Sequence, residues 1–267
     1  MRIASAGHAV FSGTMVAVGI LGFVRGDFTA IWQGVPKAMP AREVLAYVCA
    51  VVCVACGIGV FWRHTAALAA RALFAYLFLW LLIFKLRFIF LAPAEEVSYQ
   101  SCGMTAVIVA GAWVLYAWFA TDRDRQRFGF ATGDKGIRIA RVLFGLALIA
   151  FGLSHFAYLQ LTAPLVPRWL PWHVGWAYFT GAAYLVAGAA VLSGVCAPLA
   201  AALATVQMGL FTLLIWVPMV ASGHISAHHW AEFVSSWTLT AAAWVVADSY
   251  SGMPRVAAFK RLRRAPS

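Results

Sequence analysis

The 267-residue chain is 63% hydrophobic and only 11% charged, whereas soluble domains carry roughly 25% charged residues. A soluble fold is therefore excluded, because a folded chain of this size must cover its surface with polar groups. The net charge of +11 does not indicate nucleic-acid binding, since the basic residues lie between and after the apolar stretches, as membrane topology signals do.

Eight apolar stretches follow one another along the chain, each close to the ~20 residues that a helix needs to cross a bilayer. They are continuously apolar rather than alternating, which indicates helices and not the strands of a barrel. We therefore predict an all-α integral membrane protein with eight transmembrane helices, at residues 3–24, 43–62, 66–91, 103–120, 138–160, 174–193, 196–221 and 230–248. Pro218 interrupts the seventh stretch and predicts a kink there.

The two halves of the chain match each other at a single offset of 131 residues. Identical residues stand at 35 and 166, 36 and 167, 40 and 171, 57 and 188, and throughout 112–114 and 243–245. Because each half has four predicted helices, the repeats are parallel rather than inverted. We predict a first four-helix repeat (1–120), a cytoplasmic linker (121–136), a second four-helix repeat (137–250) and a basic cytoplasmic tail (251–267).

Lysine and arginine are distributed unevenly between the two sides of the predicted membrane. If the N-terminus lies inside, the inner segments hold 14 of these residues and the outer segments hold 6. Cytoplasmic loops carry the excess of positive charge, so both termini are predicted to be cytoplasmic. The basic tail is expected to contact anionic lipid of the bilayer.

Short motifs follow one another in the second half: Arg141 and Gly145, then residues 152–156 (GLSHF), residues 165–171 (LVPRWLP), and Gly181 with Gly188. This series, over about 137–248, resembles the DoxX family of membrane proteins, and the first half (about 6–120) resembles it only through the repeat. The resemblance implies a four-helix bundle of the bacterial-type inner membrane. Some members are associated with quinone-linked oxidation of sulfur compounds or with periplasmic redox systems. Where the family often has an acidic residue in its second helix, this chain has Tyr184, and Cys53 in the other repeat.

Ionisable side chains collect on the predicted outer side of the second half: His155, His173, His224, His228, His229 and Glu232. His228 and Glu232 are four residues apart and share a helix face. Imidazole suits copper, zinc and haem iron and titrates near neutral pH. The residues thus predict a haem site, a transition-metal site at His224, His228, His229 and Glu232, or a proton relay to a quinone. The alternative is an interfacial loop with histidines at the headgroup level.

The first half has Lys85 and Arg87 inside a long apolar stretch. The favoured interpretation is that they extend to the interface or pair with Glu95 or Glu96, and the alternative is a site for an anionic or quinonoid headgroup. Three cysteines share one face of the second helix, at 49, 53 and 56. Packing is preferred over thiol redox chemistry for them.

Two classes of function follow from these patterns. The first is a subunit that binds a quinone, a haem or a metal near its outer face and supports a periplasmic oxidoreductase. The second is a non-catalytic membrane scaffold, or a carrier of a small lipophilic molecule. No nucleotide-binding or hydrolase motif is present in the sequence, which argues against a nucleotide-driven pump.

Overall fold

The computed structural model describes residues 5–32, 35–223 and 226–251 of the chain. Within these residues the structure is helical and contains no strand. Its long helices are α1 (Ala6–Arg25), α2 (Arg42–Gly59), α3 (Ala66–Leu91), α4 (Glu96–Phe119), α5 (Gly133–Ala157), α6 (His173–Ser193), α7 (Ala197–Ala221) and α8 (Ala227–Asp248). The predicted cytoplasmic tail beyond residue 251 lies outside the described residues.

In the described part of the chain, helices α1 to α7 are each long and apolar enough to cross a membrane. The chain is therefore a multi-pass, all-α membrane protein, as predicted. Helix α8 has 22 residues but falls short of the apolarity of the other seven, because two histidines, a glutamate, two serines and two threonines lie within residues 227–240. It packs against α1, α4 and α7, and a helix that is covered by its neighbours needs fewer apolar side chains than one that faces lipid.

Local signals mark several helix ends. Ser5 and Ser226 precede α1 and α8, and each hydroxyl accepts a hydrogen bond from the backbone N–H three residues later, at 3.3 Å. Serine in this position satisfies one of the free N–H groups at a helix start. Helix α1 ends at Gly26, whose φ of 63° is a conformation that glycine adopts without steric cost.

The order of the helices in space differs from two closed bundles. Successive helices pack together within each half, but α4 also packs against α5 and α8, and α8 also packs against α1. Helices α4 and α8 therefore lie at the centre of the molecule. They approach closely at Gly111, where an added Cβ atom would lie 3.0 Å from three atoms of Ala242. Small residues permit such backbone contact, which drives helix association in lipid.

Two helices contain a π-helical turn in their C-terminal half. In α3 the turn spans Leu81–Leu86, and in α7 it spans Thr212–Trp216. The turn in α7 directly precedes Pro218, the residue that predicted an interruption. No proline follows the turn in α3, so the sequence did not predict that one. Such turns are rare in helices and frequently occur at functional sites.

The segment that joins the two halves, residues 121–136, is held against the first half of the chain. It begins with a short helix, Asp122–Arg127, in which Thr121 and Asp124 cap each other's backbone N–H groups. The buried Asp124 carboxylate accepts a hydrogen bond of 3.0 Å from Arg71 of α3. Trp113 of α4 donates its indole N–H to the Ala131 carbonyl at 2.9 Å. These contacts fix the position from which α5 starts.

Candidate functional site

The start of α8 carries three of the predicted site residues. His228 is exposed, and His229 and Glu232 are partly buried. The two imidazole rings lie 5.9 Å apart, centre to centre, and both are close enough to Glu232 to interact with its carboxyl group. The helix thus places two bases and one acid together, as the spacing predicted.

A fourth group joins this cluster that the sequence did not single out. Trp216, in the π-helical turn of α7, is 4% exposed, and its indole lies 6.2 Å from the His229 ring. Within the described residues, Trp216 Nε1 and His229 Nδ1 are both buried and have no hydrogen-bond partner. Buried polar atoms without partners are uncommon in folded proteins and call for an explanation. We refer to Trp216, His228, His229 and Glu232 as the α7–α8 cluster.

Only three of the four predicted metal ligands lie among the residues that the structure describes. His224 lies outside the described residues, so its distance from His228, His229 and Glu232 is not defined. Among the residues that the structure describes, no three histidine, cysteine, aspartate or glutamate side chains are grouped to hold a metal ion. The four-residue metal site therefore stays a prediction.

The other two predicted histidines stand apart from this cluster. His155, near the end of α5, forms a 2.8 Å hydrogen bond through Nδ1 with the Phe151 carbonyl and packs against Tyr184 of α6, with the rings 5.5 Å apart. His173 is the first residue of α6, and its Nε2 atom is buried without a partner among the described residues. No hydrogen bond or ring contact in the described part of the chain joins either of them to His228 or His229.

Lys85 is not where the favoured interpretation placed it. The residue is 4% exposed, and its ammonium donates a hydrogen bond of 2.9 Å to the Ser101 hydroxyl of α4. The prediction that it extends to the interface or pairs with Glu95 or Glu96 is wrong. Lys85 lies in the π-helical turn of α3, and a π turn rotates the side chains that follow it relative to a regular α-helix, so its ammonium points toward α4.

Arg87, two residues further on, is partly buried. Its guanidinium carbon lies 5.0 Å from the centre of the Phe88 ring, a distance at which cation and ring attract each other. Its Nε atom has no hydrogen-bond partner among the described residues. Lys85 and Arg87 therefore occupy different surroundings, although both belong to one apolar stretch.

The three helical cysteines of α2 form a buried face, as the packing interpretation predicts. Cys49, Cys53 and Cys56 are free thiols with at most 7% exposure. The Cys49 Sγ atom lies 3.4 Å from the Tyr76 hydroxyl of α3. The Cys49 thiol thus packs between α2 and α3.

Comparison of this chain with protein-family models, with curated proteins and with solved structures gives no match.

Proposed function

We propose that all eight long helices cross the membrane and that they form two tandem, parallel four-helix repeats with both termini in the cytoplasm. Equivalent helices start 131 residues apart, the offset of the sequence matches: α2 and α6 at 42 and 173, α3 and α7 at 66 and 197, α4 and α8 at 96 and 227. The π-helical turns, at 81 and 212, keep the same offset. So do the left-handed residues Ala41 and Trp172 before α2 and α6.

Contacts between helices repeat at this offset as well. Cys49 meets Tyr76 between α2 and α3, and at the corresponding positions Gln207 donates to the Thr180 carbonyl at 3.0 Å between α7 and α6. Gly111 and Ala242 are themselves 131 residues apart, and they touch each other. Contact between equivalent positions of parallel helices is what a pseudo-twofold axis along α4 and α8 requires.

The first helix of each half follows a slightly different register. An added Cβ at Gly19 would lie 2.7 Å from the Ala50 carbonyl, and one at Gly152 would lie 2.8 Å from the Gly181 carbonyl. Positions 50 and 181 differ by 131, whereas positions 19 and 152 differ by 133. The chain segments from Gly19 to Ala50 and from Gly152 to Gly181 thus differ in length by two residues.

We further propose that the protein is a DoxX-like, quinone-linked subunit of the bacterial-type inner membrane that supports a periplasmic oxidoreductase, with the α7–α8 cluster as its quinone site. The observation that carries the proposal is the pair of buried, unpartnered polar atoms, Trp216 Nε1 and His229 Nδ1. A quinone carbonyl oxygen is an acceptor for the first atom. The transition-metal alternative has less support, since no group of three metal ligands occurs among the described residues.

Each residue of the cluster has a defined task in this proposal. Quinone, when bound, supplies a couple that takes up two electrons and two protons, and the electrons come from the partner oxidoreductase. Trp216 donates its indole N–H to one carbonyl oxygen and so orients the ring. His229 and Glu232 hold protons beside the ring. His228, which is exposed, exchanges protons with water at the membrane surface.

The test is quinone binding by purified protein in lipid nanodiscs. Trp216→Phe keeps the aromatic ring and removes only the N–H, so bound quinone should fall about tenfold, the effect of losing one buried hydrogen bond of about 1.4 kcal/mol. Trp80→Phe is the matched control, because Trp80 Nε1 is also buried and unpartnered among the described residues but belongs to the other half. A quinone-free wild-type preparation, or equal quinone content in all three proteins, would favour the scaffold or carrier function instead.

A further inference from the structure

A small cavity lies between the two halves, and none of its lining residues belongs to the α7–α8 cluster. Its walls come from the turn of helix at Ala30–Trp32, from the π-helical turn of α3, and from α4 and α8. The space open to the centre of a water molecule is about 10 Å³, which is enough for about one water-sized particle. Its polar lining consists of Lys85, Thr105 and Ser235, and the remaining walls are mainly apolar.

Lys85 brings a positive charge into this cavity. In the described part of the chain the ammonium hydrogen-bonds to Ser101 alone. The salt bridges formed by described residues join Arg42 to Asp27 and Arg71 to Asp124, so no described carboxylate is paired with Lys85. A buried charge without a counter-charge is costly within a membrane and marks a functional site by default.

Ser235, on α8, supplies a second and independent observation. Its side chain is 2% exposed, and its hydroxyl has no hydrogen-bond partner among the described residues. Ser235 lines the same cavity as Lys85. A buried ammonium and an unused O–H donor therefore belong to two residues that border one small space, and both groups favour an acceptor that carries negative charge.

We propose that this cavity binds a monovalent anion the size of chloride. The anion pairs with the Lys85 ammonium and accepts a hydrogen bond from the Ser235 hydroxyl. The volume excludes phosphate, sulfate and lipid headgroups. Ile31 and Ile108 give the cavity apolar walls, and an apolar surrounding strengthens the attraction between the two charges. The site joins α3 of the first half to α8 of the second, so an anion there stabilises the contact between the halves.

The test measures thermal unfolding in nanodiscs of zwitterionic lipid while chloride replaces gluconate at constant ionic strength. For the wild type, the unfolding midpoint should rise by about 3–6 °C and saturate, because a ligand that binds only the folded state stabilises it. Bromide should act in the same way, and sulfate should not. Lys85→Met should abolish the chloride dependence, and Ser235→Ala should shift its midpoint several-fold to higher chloride. Arg87→Met, the matched control on the same helix, should retain the wild-type response.

Two results would overturn the proposal. Equal wild-type midpoints in chloride and gluconate would mean that the cavity holds water beside Lys85. A chloride response that survives in Lys85→Met would place the anion elsewhere. If Lys85→Met does not fold, the Ser235→Ala titration decides, because an unchanged chloride midpoint in that variant contradicts the proposed contact. Quinone content is measured in the same samples, so the anion site and the quinone site can fail separately.

Discussion

The π-helical turns of α3 and α7 occupy corresponding places in the two halves but carry different side chains: a buried cation in α3 and a neutral aromatic residue in α7. The turn in α3 presents a buried cation, Lys85, to a single hydroxyl of α4. The turn in α7 presents Trp216 to His229, and its Thr212 hydroxyl shares short contacts with Ser236 and Thr240 of α8. The backbone irregularity is thus common to both halves, and the side chains on it decide what each half can bind.

Replacing Trp216 and replacing Lys85 should change the free energy of unfolding in opposite directions. Trp216→Ala empties a buried site and should cost about 3–5 kcal/mol. Lys85→Met removes a buried charge and keeps the volume, so in chloride-free buffer it should be stabilising by about 1–2 kcal/mol. Thermal unfolding in detergent compares both with the wild type. A destabilised Lys85→Met protein in that buffer would mean that the charge has a counter-ion after all.

The contact at which the halves meet can be tested at Gly111. Gly111→Leu adds a side chain where even a Cβ would lie 3.0 Å from the Ala242 backbone, and it should be destabilising by about 1–3 kcal/mol because α4 and α8 must separate. Gly13→Leu on α1 is the matched control, since a Cβ at Gly13 has no neighbour within 4 Å. Similar unfolding midpoints for the two variants would contradict a close α4–α8 contact.

Asp124 of the segment between the halves is held by Thr121 and by Arg71 of the first half; we call these contacts the linker clamp, and its contribution to stability depends on pH. Burial opposes ionisation of Asp124, but hydrogen bonds from Thr121 and the Arg71 guanidinium outweigh it and lower the pKa of the carboxyl group. Because the folded-state pKa lies below the unfolded value of 3.8, the clamp stabilises the protein fully above that pH. This stability is lost as the pH falls through the lowered pKa.

Asp124→Asn should therefore cost about 1–2 kcal/mol at neutral pH and remove this part of the acid sensitivity. Asp27→Asn is the control, because the Asp27–Arg42 pair is partly exposed and exposed pairs contribute about 0–1 kcal/mol. Unfolding midpoints between pH 3 and pH 7 provide the comparison. Parallel curves for the wild type and Asp124→Asn would show that the clamp does not contribute.

The smallest effects are expected at the corresponding polar contacts between the second and third helices of each half. Gln207→Met removes a neutral hydrogen bond to the Thr180 carbonyl and should cost about 1 kcal/mol. Tyr76→Phe removes only a contact with the Cys49 sulfur, a weak hydrogen-bonding group, and should cost less than about 0.5 kcal/mol. Unfolding midpoints in detergent test the order. The reverse order would mean that the contact between Tyr76 and the Cys49 sulfur is the stronger of the two.

Helix positions were largely predictable, and the candidate site was predictable only in part. Helix α3 spans Ala66–Leu91 as predicted, whereas α4 and α5 begin at Glu96 and Gly133, several residues before the predicted 103 and 138. Polar residues such as Glu96 and Asp134 extend these helices beyond their apolar stretches. The spacing of His228 and Glu232 predicted that they share one helix face. Trp216 was not predicted, because a tryptophan within an apolar stretch does not stand out from its apolar neighbours.

The sequence by itself determined that the chain is helical and membrane-embedded, because the length of an apolar segment and the backbone's need for internal hydrogen bonds are local properties. It also contains the 131-residue offset that the starts of the second, third and fourth helices of each half follow. Only the tertiary structure decided that α8 lies between α1 and α4, that Lys85 points inward and that Trp216 faces His229. Those outcomes depend on which helix surfaces fit together, and hydropathy along one segment does not specify its neighbours.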